Sequence, residues 1–180
     1  MLTIQNVVGG GSLGVEIDLF SIATAEFEHF DIQYEPESFP GVVFRSTDLN
    51  PTIMLYRSGK FNIAGGDSVS ETREAFNIFC TEMTNITELE IQPNLEMRYF
   101  VTTGKLGRRI DLLAAAIALG IDETEYEPEQ FSGLFYRSEN QDWFAILFAS
   151  GSIVVDGVPN MDILESAYEE IDQTLSENDI

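Results

Sequence analysis

The second half of this chain rewrites the first. YEPESFPGVVFRS (34–46) returns as YEPEQFSGLFYRS (126–138), identical at 8 of 13 positions. SLGVEIDL (12–19) returns as KLGRRIDL (105–112), and RSGKFNIAGG (57–66) as ASGSIVVDGV (149–158). The separation is 93 in one pair and 92 in the other two, so one residue is lost between them. Two copies exclude a solenoid, which needs three or more stacked repeats to bury its faces. They predict a duplicated fold with pseudo-twofold symmetry, one repeat in 1–91 and the other in 92–180.

Each repeat carries the same local signals. An apolar strand opens it, Thr3–Val8 and Leu95–Thr102. A helix follows, capped by Asp18 before LFSIATAEF and by Asp111 before LLAAAIAL, with Gly120 as its stop. Short alternating runs come next, GVVFRS, TIMLYRSG and KFNIAGG, then GLFYRS, WFAILFASG and SIVVDG. A second helix closes each repeat. Ser68-x-x-Glu71 reads as a capping box, and Asn160 as the other cap. Val69, Phe76, Phe79, Cys80 and Met83 share one helical face, as do Leu164, Tyr168, Ile171 and Leu175, which predicts core contacts. The fold class is therefore α+β: strand, helix, strands, helix, twice. An antiparallel sheet with its helices on one side leaves the other side open. Period-two spacing puts Asn6 with Val8, Met54 with Tyr56, Asn62 with Ala64, Tyr99 with Val101, Ile146 with Phe148, and Val154 with Asp156. So apolar an uncovered face reads as a binding surface; the alternative is cover by a second sheet or a dimer partner.

Other chemistry is sparse. Gly9-x-Gly11-x-x-Gly14 matches a dinucleotide fingerprint, but no helix opens at the glycines and the second repeat keeps only part of the pattern. They are read instead as the flexible exit of the first strand. One cysteine, Cys80, and one histidine, His29, exclude Cys/His and Ser/His/Asp sets. Cys80 reads as a small core residue in a reducing, cytoplasmic setting, and His29 as a surface or satisfied histidine. No metal-ligand spacing appears. Nothing calls for a cofactor, and no apolar run is long enough to span a membrane. Nine basic residues face 31 acidic ones, a net charge of −22 shared by both halves. That balance should repel nucleic acid in dilute salt. In a very salty cytoplasm screening shrinks to about 3 Å and the repulsion fades.

The duplication, YEPESFPGVVFR and the SGK at 58–60 resemble the TATA-binding protein family of archaea and eukaryotes. The resemblance covers nearly the whole chain. It implies a saddle: one curved antiparallel sheet with four helices on its convex side, whose concave side binds promoter DNA in the minor groove. In that family paired phenylalanines wedge between base steps and kink the duplex. Here the wedge pairs fall on Phe39 with Tyr56 and on Phe131 with Phe148. Asn6 matches the residue that reads the groove near its centre, and Val8, Val101 and Val154 match groove-facing positions. Arg45, Lys60 and Arg137 match phosphate contacts. The family's central Gln-Asn pair stands as Gln5-Asn6 in the first repeat and is replaced by Arg98 and Tyr99 in the second, with Arg98 a further phosphate contact.

Departures accompany the match. Asp67, Ser152 and Pro159 stand where lysines are usual. Asn62 stands for a groove-facing valine, and Ala64 and Asp156 for threonines. The second YEPEQ matches the loop that meets transcription factor B, so Glu127, Glu129 and Gln130 are the expected partner contacts, with RNA polymerase reached indirectly. The free protein is a candidate homodimer through its apolar face. The departures also allow a different reading: a relative kept as a protein-interaction module with impaired DNA binding.

Overall fold

The computed structural model describes all 180 residues. Local side-chain chemistry starts every helix. The Asp18 carboxylate accepts from Phe20 N (3.2 Å) ahead of α1 (Leu19–Ala23). Asp111 does the same for Leu113 and Ala114 ahead of α3 (Leu112–Leu119). Ser68 Oγ accepts from Glu71 N (3.2 Å) at the start of α2 (Val69–Ile86), and Asn160 caps α4 (Met161–Glu177). The reciprocal arm of the capping box is displaced. Glu71 accepts from Asp67 N and Asn50 N (both 3.0 Å), fastening the preceding loop instead of the cap residue.

Helix α1 is shorter than LFSIATAEF predicts. Thr24 Oγ1 donates to the carbonyls of Phe20 and Ser21 (3.1 and 3.0 Å) and closes the helix after Ala23. The chain then turns so that the Phe27 ring packs edge-on against Phe44, centroids 5.1 Å apart. At the end of α3 the stop at Gly120 is real, with φ of 104°.

Two compact units form, Asn6–Arg98 and Met1–Gln5 with Tyr99–Ile180. Ten strands serve them: β1 (Thr3–Ser12), β2 (Phe30–Tyr34), β3 (Gly41–Ser46), β4 (Thr52–Tyr56), β5 (Lys60–Gly66), β6 (Asn94–Lys105), β7 (Thr124–Glu125), β8 (Gly133–Tyr136), β9 (Phe144–Phe148) and β10 (Ser152–Asp156). In the Asn6–Arg98 unit the antiparallel order is β2-β3-β4-β5-β1; in the other it is β6-β10-β9-β8-β7. Strands β2 and β7 were not among the predicted runs.

The opening strands extend past their predicted ends, and the glycines of VVGGGS lie inside β1, not at a flexible exit. Gly9, Gly10 and Gly11 pair with Ile63, Asn62 and Phe61. A side chain at Gly11 would put its Cβ 1.9 Å from the Asn94 carbonyl, so the residues are glycine because backbone passes there too closely for a side chain.

Burial alternates residue by residue along β4, β9 and β10, as a one-sided sheet requires. Ile53, Leu55, Phe61 and Ile63 are buried, and so are Ala145, Leu147, Ile153 and Val155. Phe76, Phe79 and Met83 of α2 join the core of the first unit; Leu164, Ile171 and Leu175 of α4 are fully buried in the second. Val69 and Cys80 are only half-buried.

Candidate nucleic-acid interface

The other residues of the same strands remain partly accessible. In the Asn6–Arg98 unit, register aligns Val43 with Met54, Met54 with Asn62 and Asn62 with Gly10. In the other unit, Phe135, Ile146, Val154 and Thr103 form the corresponding row. Each unit thus exposes a sheet face opposite its helices, mostly apolar, as predicted.

At the end of each face stand two rings. Phe39 and Tyr56 have centroids 5.7 Å apart; Phe131 and Phe148 are 6.0 Å apart. Both pairs stand over a glycine. A Cβ at Gly41 would lie 2.9 Å from the Phe39 ring, and one at Gly133 only 2.6 Å from Phe131. These two glycines are part of the site, because any side chain would push the rings off the strand. The repeated F-x-G at 39–41 and 131–133 was the sequence signal for them.

The polar residues on the faces present donors in one unit and an acid in the other. Asn6 Oδ1 accepts from Gly65 N (2.7 Å), which leaves its amide NH2 to donate outward. The Arg98 guanidinium crosses over Gly10 and donates to Asn62 Oδ1 (2.9 Å). Arg98 therefore lies on the floor of the face rather than at its rim, where a phosphate contact was expected, and the Asn62 amide is likewise left as a donor. Tyr99, in the position equivalent to Asn6, is 36% exposed. Asp156 pairs in register with Phe144 and Val101, and its position alternates with buried Val155, so it belongs to the open face. Burial between apolar neighbours pushes its pKa up, offset in part by the Gly157 N–H.

Of the basic residues, Arg45 and Lys60 are exposed, with Arg45 donating to Gln33 (3.2 Å). Arg137 lies over the Phe144 ring, 5.6 Å from its centroid. Arg108 is spent internally on Asp172 (2.6 Å) and on the Ile180 carbonyl (2.6 Å). In the YEPEQ turn, Phe131 N donates to the Glu127 carbonyl (2.9 Å) and the Gln130 amide donates to the Glu127 carboxylate, while Glu129 is exposed without a partner. His29 is satisfied by Glu82 (Nδ1 to Oε1, 2.6 Å), which raises its pKa. Burial pushes the Cys80 thiol up to about 12, so it is an unreactive thiol. No helix is long and apolar enough to cross a membrane.

An uncovered, largely apolar sheet face ending in paired rings defines a protein that binds an extended ligand across a surface. The family model for transcription factor TFIID, or TATA-binding protein, matches residues 1–86 and 94–178. TATA-box-binding protein E of Halobacterium salinarum is 37% identical over 177 residues, covering 98% of this chain and 94% of that protein. The TATA-box-binding protein of Natronomonas pharaonis is 38% identical over 180 residues, covering 98% and 93%. The TBP of Methanococcus jannaschii superposes with a TM-score of 0.82 at 34% identity, over 98% of both chains. The chain belongs to the TATA-binding protein family. It has that family's fold, and by family it is a TATA-box-binding transcription initiation factor that binds promoter DNA, not an enzyme. Relatives from halophilic archaea are among those it matches, and this chain carries a net charge of −22. The reading as an interaction module with impaired DNA binding is not favoured.

Proposed function

We propose that this protein binds A·T-rich promoter DNA through the minor groove, inserts Phe39 with Tyr56 and Phe131 with Phe148 at base steps, and bends the duplex. The observation that carries the reading is the pair of rings held over Gly41 and over Gly133 at the end of an open sheet face. Such wedges unstack a step, and the bend gains protein contact in return. The two repeats, 1–91 and 92–180, each supply one pair. Asn6, Asn62 and Arg98 supply donors, which suits a groove whose A·T pairs show only acceptors. Val8, Val101 and Val154 supply apolar contact, and Arg45, Lys60 and Arg137 meet phosphates. Glu127, Glu129 and Gln130 receive transcription factor B, through which RNA polymerase is recruited at the nucleoid in the cytoplasm. Glu129 is the carboxylate in that turn with no partner of its own. Without DNA, the apolar faces of two copies associate as a homodimer.

The test is energy transfer across an end-labelled A·T-rich duplex at molar potassium chloride, with and without the B-type factor. Bending by the protein alone is expected. Ordinary DNA binders lose affinity steeply with salt. With −22 on the chain, affinity here should first rise with salt as repulsion is screened. A monotonic fall from low to molar salt would sink the salt-adapted reading.

Asp156 limits this binding. An ionised carboxylate facing groove acceptors has nothing to accept from. D156N should tighten binding about tenfold at neutral pH, the effect of removing one unpaired charge worth ~1–3 kcal/mol in a closed interface. The pH dependence has a definite sign. Because the Asp156 pKa is raised in the folded protein, ionisation costs folding stability above its titration range, and that cost is relieved as pH falls through it. Wild-type affinity should rise over the same fall, and the D156N protein should not respond there. Equal pH profiles for the two proteins would clear Asp156 of this role.

A further inference from the structure

The two open faces differ more than a duplicated fold requires. Where one unit has Val43, Thr52 and Asn6, the other has Phe135, Phe144 and Tyr99 at the equivalent positions. We propose that Phe135 is a third base-contacting ring, which makes the wedge end of the second repeat the stronger unstacker of DNA. The inference rests on the minor-groove reading above.

Register places Phe135 opposite Ile146, on the open face. Its ring lies 5.0 Å from Phe131, tilted by 34°, so the two form one offset aromatic surface. Phe131 itself is 6.0 Å from Phe148. Packing against Phe131 still leaves Phe135 37% exposed, and Phe131 39%. The glycine at 133 lets the Phe131 ring lie down over β8, which brings it beside Phe135. Phe144 does not compete for this role, because Arg137 lies over its ring. In the first repeat Val43 has no ring to extend the Phe39–Tyr56 pair. Base–aromatic stacking is strong and tolerant of sequence, so one added ring shifts both affinity and local unstacking. A surface of three rings is best served by a flexible pyrimidine–purine step, which unstacks at least cost.

The test uses the full chain and an asymmetric A·T-rich duplex with 2-aminopurine replacing adenine at the outermost step of one end or the other. Wild-type protein should raise the fluorescence of one end clearly above that of the other. F135V should lose about tenfold in affinity and at least half of the stronger signal, leaving the weaker signal and the melting midpoint unchanged. F135W, which keeps a ring, should retain both signals and affinity. The reciprocal V43F should raise the weaker signal. F135V within twofold of wild type in affinity and in both signals would overturn the proposal. Wild-type protein that binds the duplex but raises neither signal would instead overturn the wedging reading on which it rests.

Discussion

Alanine at both Phe131 and Phe148 should abolish bending at one end of the duplex and weaken binding by about a hundredfold or more, while the melting midpoint of the protein should stay within a few degrees of wild type. The magnitude follows from stacking, worth ~1–3 kcal/mol per ring against a base. The two substitutions act on one step, so their effects will not simply add. The preserved stability follows from exposure. Phe131 is 39% accessible, and Phe148 lies on the open face with the half-buried residues of β9. Neither belongs to the buried set of its unit. Energy transfer on a labelled duplex reads the bend, and a thermal melt reads the fold. If the double variant unfolds at the temperature of the binding assay, the face described as open is a core.

Phe44→Ala should have the opposite signature. Phe44 is 0% exposed and sits at the centre of a ring cluster, 5.1 Å from Phe27, 6.3 Å from Phe30 and 5.0 Å from Phe79. Removing it costs both the transfer energy of the ring and a cavity that three aromatic neighbours cannot collapse to fill. The expected loss is ~3–5 kcal/mol, a fall in melting midpoint of about 10 °C for a chain of this length. DNA affinity well below the melting range should be unchanged, because Phe44 points away from the open face. Chemical denaturation at constant salt measures the loss. A value under about 1 kcal/mol would mean that the cluster repacks. One residue type, placed on opposite faces of one sheet, therefore separates stability from binding.

Much of the architecture was legible in the chain. Helix starts are local: Asp18, Ser68, Asp111 and Asn160 each bond to amides two or three residues ahead, so a short window suffices to find them. The two ring pairs came from the family resemblance, and the repeat adds that both have the same 17-residue separation. Length was harder. Helix α1 ends early through the Thr24 hydroxyl, a local competitor for its carbonyls. Strand β2 lies outside the predicted runs although FDIQY alternates apolar and polar residues at every position, the ordinary strand signal; β7, at two residues, is too short to show any period. The site's finer parts depended on residues distant in sequence. Arg98 reaches Asn62 across 36 positions, and Asn6 holds Gly65 across 59.

The sequence by itself determined the duplication, the α+β class, the helix caps and the acidic composition, because each is written in local spacing or in composition. Tertiary structure alone decided what the glycines do and which polar groups face outward. Gly11 is explained by the Asn94 carbonyl, and Gly133 by the Phe131 ring lying over it. Asn6 and Asn62 present donors only because their oxygens are already taken, and the Phe135 ring joins a continuous aromatic surface only beside Phe131. Those roles depend on which atoms come within a few ångströms after the strands pair, and no pattern along the chain records that distance.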